Sequence, residues 1–206
     1  MTDIIENAGQ PENTAPAAGE KKPENTPKKE KQPMTFKRLY KEWILPFGLE
    51  ILALFLIVKF VFFVPIVPTG SMEPTIAEHS ALFALRVHDL EKLERGDIIV
   101  FTAETPELAG TTLIKRLIGL PGDHVEIDEN GTVTINGEVQ QESYVVYQYA
   151  IPSEFDVPEG YYLFMGDNRA NSMDSRYWQN PYVSGGSIQG RAIFTLFPFS
   201  NFGKLQ

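Results

Sequence analysis

The chain has 206 residues, 43% of them hydrophobic and 22% charged, and carries a formal net charge of −9. This length fits one compact domain with extensions, and the acidic balance argues against nucleic-acid binding, which needs basic surface to neutralise phosphates. The chain has no cysteine, which excludes disulfide frameworks, thiolate zinc sites, iron–sulfur clusters and a cysteine nucleophile.

Residues 1–42 form the first of three segments with different compositions. They are rich in Pro, Glu, Lys, Asn and Ala and almost free of large apolar side chains. Such a segment cannot bury enough surface to offset the entropy of ordering, so we predict a disordered tail. Basic residues cluster at its end: Lys28, Lys29, Lys31, Lys37, Arg38 and Lys41.

The second segment, residues 43–67, is an apolar run of 25 residues. About 20 apolar residues suffice to span the bilayer core, and the two charges of the run, Glu50 and Lys59, lie near opposite ends, where each can reach an interface. We expect one transmembrane helix. The alternatives are a buried core helix and a cleaved secretory signal, but the run exceeds the usual ~7–15 apolar residues of a signal and no small-x-small cleavage site follows.

The basic cluster before this run predicts its orientation. Cytoplasmic flanks of membrane helices are enriched in Lys and Arg, so the N-terminus should be cytoplasmic. No second apolar run follows, and we therefore expect residues 68–206 to lie outside the cytoplasm. The predicted location is the cell membrane, with a single pass.

Residues 68–206 have the pattern of a domain made mainly of strands. Runs rich in β-branched or aromatic residues and bounded by Gly, Pro or Asn predict strands within 96–103, 111–119, 124–137, 161–167 and 190–199. Residues 124–137 also contain two Asn-Gly pairs, the strongest short signal for a hairpin. Helical pattern is limited to one or two turns at 90–94. The fold class we expect is mainly β, an antiparallel β-sandwich or barrel-like domain with one N-terminal transmembrane helix.

Ser71 stands at a shaped turn directly after the membrane run. Pro68, Gly70 and Pro74 restrict or free the backbone on both sides of it. A serine hydroxyl becomes a nucleophile only when a base activates it, and a turn serine can equally cap a short helix. Its position a few residues beyond the membrane surface makes Ser71 a candidate nucleophile.

Lys115 is the candidate base for that serine. Along a strand, alternation places Lys115 on the same side as Leu113 and Leu117, and Arg116 on the other, polar face. An apolar environment disfavours the ammonium form and lowers the pKa of a lysine. A neutral lysine can take a serine proton, as in Ser-Lys variants of the catalytic triad. The alternative is a strand lysine whose amine reaches surface carboxylates.

A dense polar loop at residues 166–178 alternates Asp and Arg. It has too few carboxylates at the right spacing to favour calcium, and an internal ion-pair scaffold that supports a site explains the pattern better. A solvated loop is the alternative. The three histidines, His79, His88 and His124, form no HExxH pattern. They should lie at acidic turns or strand ends, and we therefore expect no metal and no cofactor.

Three motifs in order give the sequence a resemblance to a known family. PTGSMEPT (68–75), LIKRLIGLPGD (113–123) and GDNRANSMDSRYW (166–178) follow a basic tail and an anchor, and together they resemble type I signal peptidase. GDIIVF and the final GRAIFTLFPF extend the similarity from about Lys37 to the C-terminus. The resemblance implies a membrane-bound serine endopeptidase that removes signal peptides from exported preproteins after small residues (Ala-x-Ala). Its partners would be preproteins, membrane lipid and nearby secretion machinery, with no nucleic acid.

The resemblance also implies roles for individual residues. Ser71 would be the nucleophile and Lys115 the general base, with an oxyanion hole formed by the Ser71 backbone N–H and the Thr69 hydroxyl. Ser172 would hydrogen-bond the lysine. Asp174 and Arg176 would form a supporting ion pair, with Asp167 and Arg169 as its neighbours. Shallow pockets for small side chains would be lined by apolar residues: Met72, Val67, Ile76, Leu113, Ile114, Phe164 and Met165.

Two features depart from the family's pattern. Ala170 stands where an acidic residue is common, and QNPYVSGGSIQGRA after Trp178 differs from the usual Trp-Gly-x-Val-Pro run. The short domain and single anchor are similar to compact forms from Gram-positive bacteria. Two other functions remain open: a different Ser/Lys enzyme such as a self-cleaving repressor-type protease, which the anchor and third motif disfavour, and a catalytically silent anchored β domain that binds a protein partner.

Overall fold

The computed structural model describes residues 35–205, so the predicted disordered tail lies outside the described residues except for 35–42. Of these residues, all but Thr35 are helical. An α-helical turn, Phe36–Leu39 (α1), continues into a π-helical segment, Tyr40–Ile44, and then into an α-helix, Leu45–Phe60 (α2). Within the described residues, Tyr40–Phe60 is the one helix long and apolar enough to cross a membrane, with 21 residues and a mean hydropathy of 2.0. None of it is buried, unlike the core helix of a soluble protein.

The end of the apolar run is a strand. We expect a helix over 43–67, but the helix ends at Phe60, and Phe62–Phe63 (β1) pairs antiparallel with Ala81–Arg86 (β2). Pro65 has no backbone N–H to continue a helix, and the β-branched and aromatic residues around it favour extended backbone. The last residues of the predicted anchor therefore belong to the sheet.

Residues near the end of β2 hold the C-terminus of α2. Arg86 Nε donates to the carbonyl oxygen of Lys59 at 2.7 Å, and His88 Nε2 lies 2.7 Å from the carbonyl oxygen of Phe60. A helix C-terminus leaves its last carbonyls without partners, and these side chains satisfy two of them. The helix is thus joined closely to the sheet that carries the site.

The strands of the domain form two antiparallel sheets. The remaining strands, in chain order, are Ile98–Thr102 (β3), Thr112–Gly119 (β4), His124–Ile127 (β5), Val133–Ile135 (β6), Glu138–Val139 (β7), Ser153–Asp156 (β8), Tyr161–Met165 (β9), Tyr182–Ser184 (β10), Ile188–Phe197 (β11) and Gly203–Lys204 (β12). The larger sheet has the order β1-β2-β11-β3-β4-β9-β10, with β12 on β11, and the smaller one has the order β7-β6-β5-β8. The mainly β fold with one N-terminal apolar helix is confirmed.

The predicted strands all form, and others appear between them. The runs at 96–103, 111–119 and 161–167 contain β3, β4 and β9, and the Asn-Gly region contains β5 and β6. The run at 190–199 overlaps β11, which begins two residues earlier, at Ile188. Asn136 and Gly137 have φ of 51° and 83° in the tight connection from β6 to β7, as such turns require. The turn predicted at 90–94 is a 3₁₀ turn, Leu90–Lys92.

Strand β4 lies at the centre of the domain. It pairs with β3 on one side and β9 on the other. Its side chains contribute to each of three hydrophobic clusters through Ile114, Leu117 and Ile118. A polar side chain on this strand is therefore removed from water by the surrounding apolar packing.

Candidate active site

Two elements that are distant in the sequence bring Ser71 to Lys115. The turn around Ser71 is a 3₁₀ turn, Gly70–Met72, and Lys115 projects from β4. Lys115 Nζ lies 2.6 Å from Ser71 Oγ. Both side chains belong to residues that are almost fully buried, because Met72 and Ile76 pack into the core and hold the turn against β4.

Burial makes Lys115 suitable as a base. It lowers the pKa of Lys115 from 10.5 to about 8, mainly because desolvation disfavours the ammonium form. Asp174 and Asp167 act in the opposite direction, and Arg176 adds to the lowering. A substantial fraction of this amine is consequently neutral in mildly alkaline solution, where it can accept a proton from the serine hydroxyl.

The Thr69 hydroxyl lies beside the serine. Thr69 Oγ1 is 3.4 Å from Ser71 Oγ, and both residues line the same cleft. Thr69 has extended backbone immediately before the 3₁₀ turn. Its position two residues before Ser71 leaves the hydroxyl at the cleft wall, where it can donate to a substrate oxygen.

Asp174 and Arg176 form the ion pair that the resemblance implies. Arg176 Nε donates to Asp174 Oδ1 at 2.8 Å, and Nη2 donates to Oδ2 at 2.9 Å. Asp174 also accepts a hydrogen bond from the Gly166 backbone N–H at 2.9 Å. The pair therefore ties the end of the loop to its beginning.

Asp167 and Arg169 each have a charged partner of their own. Arg116 donates to Asp167 from Nε at 2.8 Å and from Nη2 at 2.7 Å, and the Thr75 hydroxyl also donates to this carboxylate. Arg169 Nη2 donates to Glu142 Oε1 at 2.6 Å. Arg116 corrects an expectation, since the face of β4 opposite Lys115 is not a solvated polar face. Arg116 is only 2% exposed there.

Asn168 connects this loop to the turn that carries Ser71, a role that the sequence did not indicate. Its backbone N–H donates to the Ser71 carbonyl at 3.1 Å, and its side-chain Nδ2 donates to the Gly70 carbonyl at 3.1 Å. The only sequence signal was its place in a dense polar loop. These two hydrogen bonds hold the backbone of the serine turn.

Ser172 is close to the site but does not make the hydrogen bond that the resemblance implies. Its Oγ is buried and has no hydrogen-bond partner among residues 35–205. Gly166 packs directly against Ser172, so closely that a Cβ at Gly166 would collide with Ser172 Oγ and with the Ser71 carbonyl oxygen. The implied hydrogen bond between Ser172 and Lys115 is thus absent from the described part of the chain.

A cleft of about 700 Å³ opens at Ser71 and Lys115. Leu113 is the one residue predicted for the substrate pockets that lines it. The other six are at most 7% exposed and shape the domain from within its core: Val67, Met72, Ile76, Ile114, Phe164 and Met165. Leu108, Met173 and Tyr177 supply cleft surface instead. Met173 and Tyr177 belong to the third motif, whereas nothing in the sequence marked Leu108.

The cleft is also lined by residues near the serine turn and by Ala170, which stands where the family commonly has an acidic residue. Glu73 and Glu78 line it on the side of the serine turn, and Ala170 lines it with its neighbours Asn171 and Ser172. Ala170 donates its backbone N–H to the Tyr147 carbonyl at 3.0 Å. The missing acidic side chain therefore leaves the backbone hydrogen bonding of the loop intact.

The sequence model of a peptidase family, described as signal peptidase, peptidase S26, matches residues 40–197. This range includes the apolar helix, Ser71, Lys115 and the whole loop at 166–178. A probable signal peptidase I-2 from Synechocystis is 37% identical over 68% of this chain and 65% of its own length. A probable signal peptidase I-1 from the same organism is 37% identical over 78% of this chain and 85% of its own length. A signal peptidase I P from Bacillus subtilis subsp. natto is 35% identical over 79% of this chain and 91% of its own.

Proposed function

The chain belongs to the signal peptidase family, peptidase S26, and we propose that it is a membrane-anchored serine endopeptidase that removes N-terminal signal peptides from exported preproteins. The observation that carries this proposal is the separation of 2.6 Å between Lys115 Nζ and Ser71 Oγ, inside a cleft of peptide-binding size. A silent binding domain would have no need for a buried amine with a lowered pKa beside a serine hydroxyl.

The chemistry follows from that geometry. Neutral Lys115 takes the proton of Ser71 as Oγ attacks the scissile carbonyl carbon, and a tetrahedral oxyanion forms. The Ser71 backbone N–H and the Thr69 hydroxyl donate to this oxyanion. The C–N bond then breaks, and the Lys115 ammonium gives its proton to the leaving amine. Water, deprotonated by the now neutral Lys115, attacks the ester carbonyl. The acyl C–O bond then breaks, and Lys115 returns the proton to Ser71 Oγ as the signal peptide leaves with a free carboxylate.

The shape of the cleft supports cleavage after small residues of the Ala-x-Ala type. Apolar surface near Ser71 and Lys115 comes from Leu108, Leu113 and Met173, while the residues behind this surface are packed in the core. Apolar surface of this kind favours an apolar side chain such as the methyl group of alanine. An extended peptide can also add its backbone hydrogen bonds to exposed strand edges.

The proposal includes how the chain is arranged across the membrane. Residues 1–42 would be a cytoplasmic tail, the anchor within 43–67 would cross the membrane, and residues 68–206 would act outside the cytoplasm. The junction at Phe60 and Phe62 would place the cleft near the bilayer. Such a site would meet membrane-bound preproteins, with membrane lipid and the secretion machinery beside it.

One experiment tests the catalytic proposal. The detergent-solubilised protein is incubated with a preprotein bearing an Ala-x-Ala site, and the new N-terminus is sequenced. Wild type should cut after the second Ala, and Ser71→Ala and Lys115→Ala should abolish the cut. Exposed residues of the same types serve as controls, and Ser200→Ala and Lys92→Ala should cleave like wild type. No cut by wild type, or an unchanged cut in the Ser71 and Lys115 variants, would falsify the proposal.

A second measurement addresses the orientation. Protease added outside spheroplasts should degrade residues 68–206 and spare an epitope placed in residues 1–34. Degradation of the N-terminal epitope alone would show the opposite orientation.

A further inference from the structure

A segment outside the three motifs lies along the loop that carries the third motif. We name residues 140–149 the strap and residues 166–176 the catalytic loop. The strap begins directly after β7 and leads toward β8, with neither helix nor strand of its own. Its backbone binds the loop twice: Tyr147 O accepts from Ala170 N at 3.0 Å, and Tyr149 O accepts from Arg176 Nη1 at 3.1 Å.

Glu142 is the charged contact of the strap. Its Oε1 accepts from Arg169 Nη2 at 2.6 Å, with side chains only 9% and 2% exposed. Arg169 Nε in turn donates to the Gly166 carbonyl at 3.1 Å. A buried guanidinium that loses its carboxylate is strongly destabilised, so Glu142 keeps Arg169 in the position from which it holds the start of the loop.

Tyr144 is the aromatic contact of the strap. Its ring lies 3.9 Å from the guanidinium carbon of Arg116, and its hydroxyl donates to Glu142 Oε1 at 2.8 Å. Arg116 forms the bidentate pair with Asp167 and is the residue after Lys115 on β4. Burial raises the pKa of Tyr144, as does the neighbouring Glu142, which keeps the hydroxyl a neutral donor. The ring thus covers the ion pair next to the base.

The two strap contacts act on the residues immediately before and after Asn168, which binds the turn of the proposed nucleophile, Ser71. Tyr144 acts on Asp167 through Arg116, Glu142 acts directly on Arg169, and Asn168 stands between them. Asn168 binds the carbonyl groups of Ser71 and Gly70. We propose that Glu142 and Tyr144 are positioning residues, which fix Asp167 and Arg169 so that Asn168 keeps the Ser71 turn against Lys115.

This proposal rests on the proposed peptidase function, and its first test is kinetic. Glu142→Ala and Tyr144→Leu in the full chain should lower kcat about 10- to 100-fold with KM nearly unchanged, because misplacing reacting groups by about 1 Å costs that much without altering substrate contacts. Tyr144→Phe keeps the ring over Arg116 and should retain most of the activity. Val146→Ala, at an exposed strap side chain, should match wild type.

The second test does not need catalysis. Amide hydrogen exchange in the catalytic loop is measured in a Ser71→Ala background, with and without the strap changes. Exchange at Asn168 and Ala170 should accelerate in Tyr144→Leu and Glu142→Ala and stay unchanged in Val146→Ala, since protection reports local opening.

The outcomes separate the two proposals. Three results would each overturn the positioning role of Glu142 and Tyr144. The strap variants could show faster exchange with unchanged kcat, or a rise in KM instead of a fall in kcat. Alternatively, Tyr144→Phe could be as impaired as Tyr144→Leu. Absence of cleavage by wild type would defeat the peptidase function alone, and unchanged loop exchange would then defeat the strap's role as well.

Discussion

Lys115 Nζ lies 2.6 Å from Ser71 Oγ, although 44 positions separate the two residues in the chain. The lysine comes from a strand in the middle of the larger sheet, and the serine comes from a turn whose Met72 is buried in the core. Core packing supports the turn on one side and Asn168 holds its backbone on the other. The amine is therefore both close to the hydroxyl and poorly hydrated, which is the condition for a lysine base.

The rate of cleavage should rise with pH through about 8. Desolvation lowers the pKa of Lys115 to about 8, so the neutral fraction should grow from about a tenth at pH 7 to about nine tenths at pH 9. The measurement is kcat/KM for a preprotein or peptide substrate across this range, which reports ionisation of the free enzyme. A limb near 10.5, or maximal activity in acid, would contradict a buried lysine base.

Replacing Lys115 with methionine should stabilise the fold near neutral pH. The folded-state pKa of about 8 lies below the unfolded value of 10.5, so below pH 8 the charged amine must be buried at a cost of about 3 kcal/mol. That cost shrinks between the two pKa values and vanishes above the higher one. Lys115→Met should thus raise the free energy of unfolding at pH 7 and lose this advantage near pH 10.5.

Denaturant unfolding of the detergent-solubilised protein at both pH values measures this effect. Lys92→Met is the matched control, because the Lys92 side chain is 81% exposed and should give no pH-dependent gain. A Lys115→Met protein less stable than wild type at pH 7 would refute the desolvation argument.

The Thr69 hydroxyl should matter for the rate of cleavage and little for binding. Thr69→Val keeps the shape of the side chain and removes the donor proposed for the oxyanion. Loss of one such donor lowers kcat about 100- to 1000-fold. Thr69→Ser keeps the donor beside Ser71 Oγ and should retain activity within about tenfold of wild type. Equal kcat for the Val and Ser variants would exclude Thr69 from the oxyanion hole.

Gly166 should not tolerate a side chain. An added Cβ would collide with Ser172 Oγ and with the Ser71 carbonyl oxygen, and the second of these is backbone that cannot rotate away. Gly166→Ala should therefore cost about 1–3 kcal/mol of stability and lower kcat as the serine turn shifts. Gly203→Ala, where no atom lies within 4 Å of the added Cβ, should leave both unchanged. A Gly166→Ala protein as stable and active as wild type would show that the turn yields.

The strands that were predicted are those whose pattern is local. β3 and β4 contain β-branched runs, and β6 has an Asn-Gly pair on each side. β2, with the sequence ALFALR, has helix-favouring residues and forms because β11 and β1 pair with it on either side. The same tertiary pairing ends the anchor helix at Phe60, since Phe62 and Phe63 form a strand beside β2.

The sequence by itself determined which groups are candidates for the reaction. The absence of cysteine, the serine beyond the apolar run and the lysine among apolar strand residues pointed to Ser71 and Lys115 before any distance was known. Side-chain type and strand alternation are local properties, so they can be deduced from neighbouring residues.

Only the tertiary structure decided what each group contacts. Arg116 is buried against Asp167, Ser172 Oγ has no hydrogen-bond partner among the described residues, and Glu142 and Tyr144 lie against the catalytic loop. Glu142 and Arg169 are 27 positions apart in the chain, and Arg116 and Asp167 are 51 positions apart. Which of them meet depends on the register of the sheets and on side-chain packing, and both are set by the whole fold rather than by any one segment.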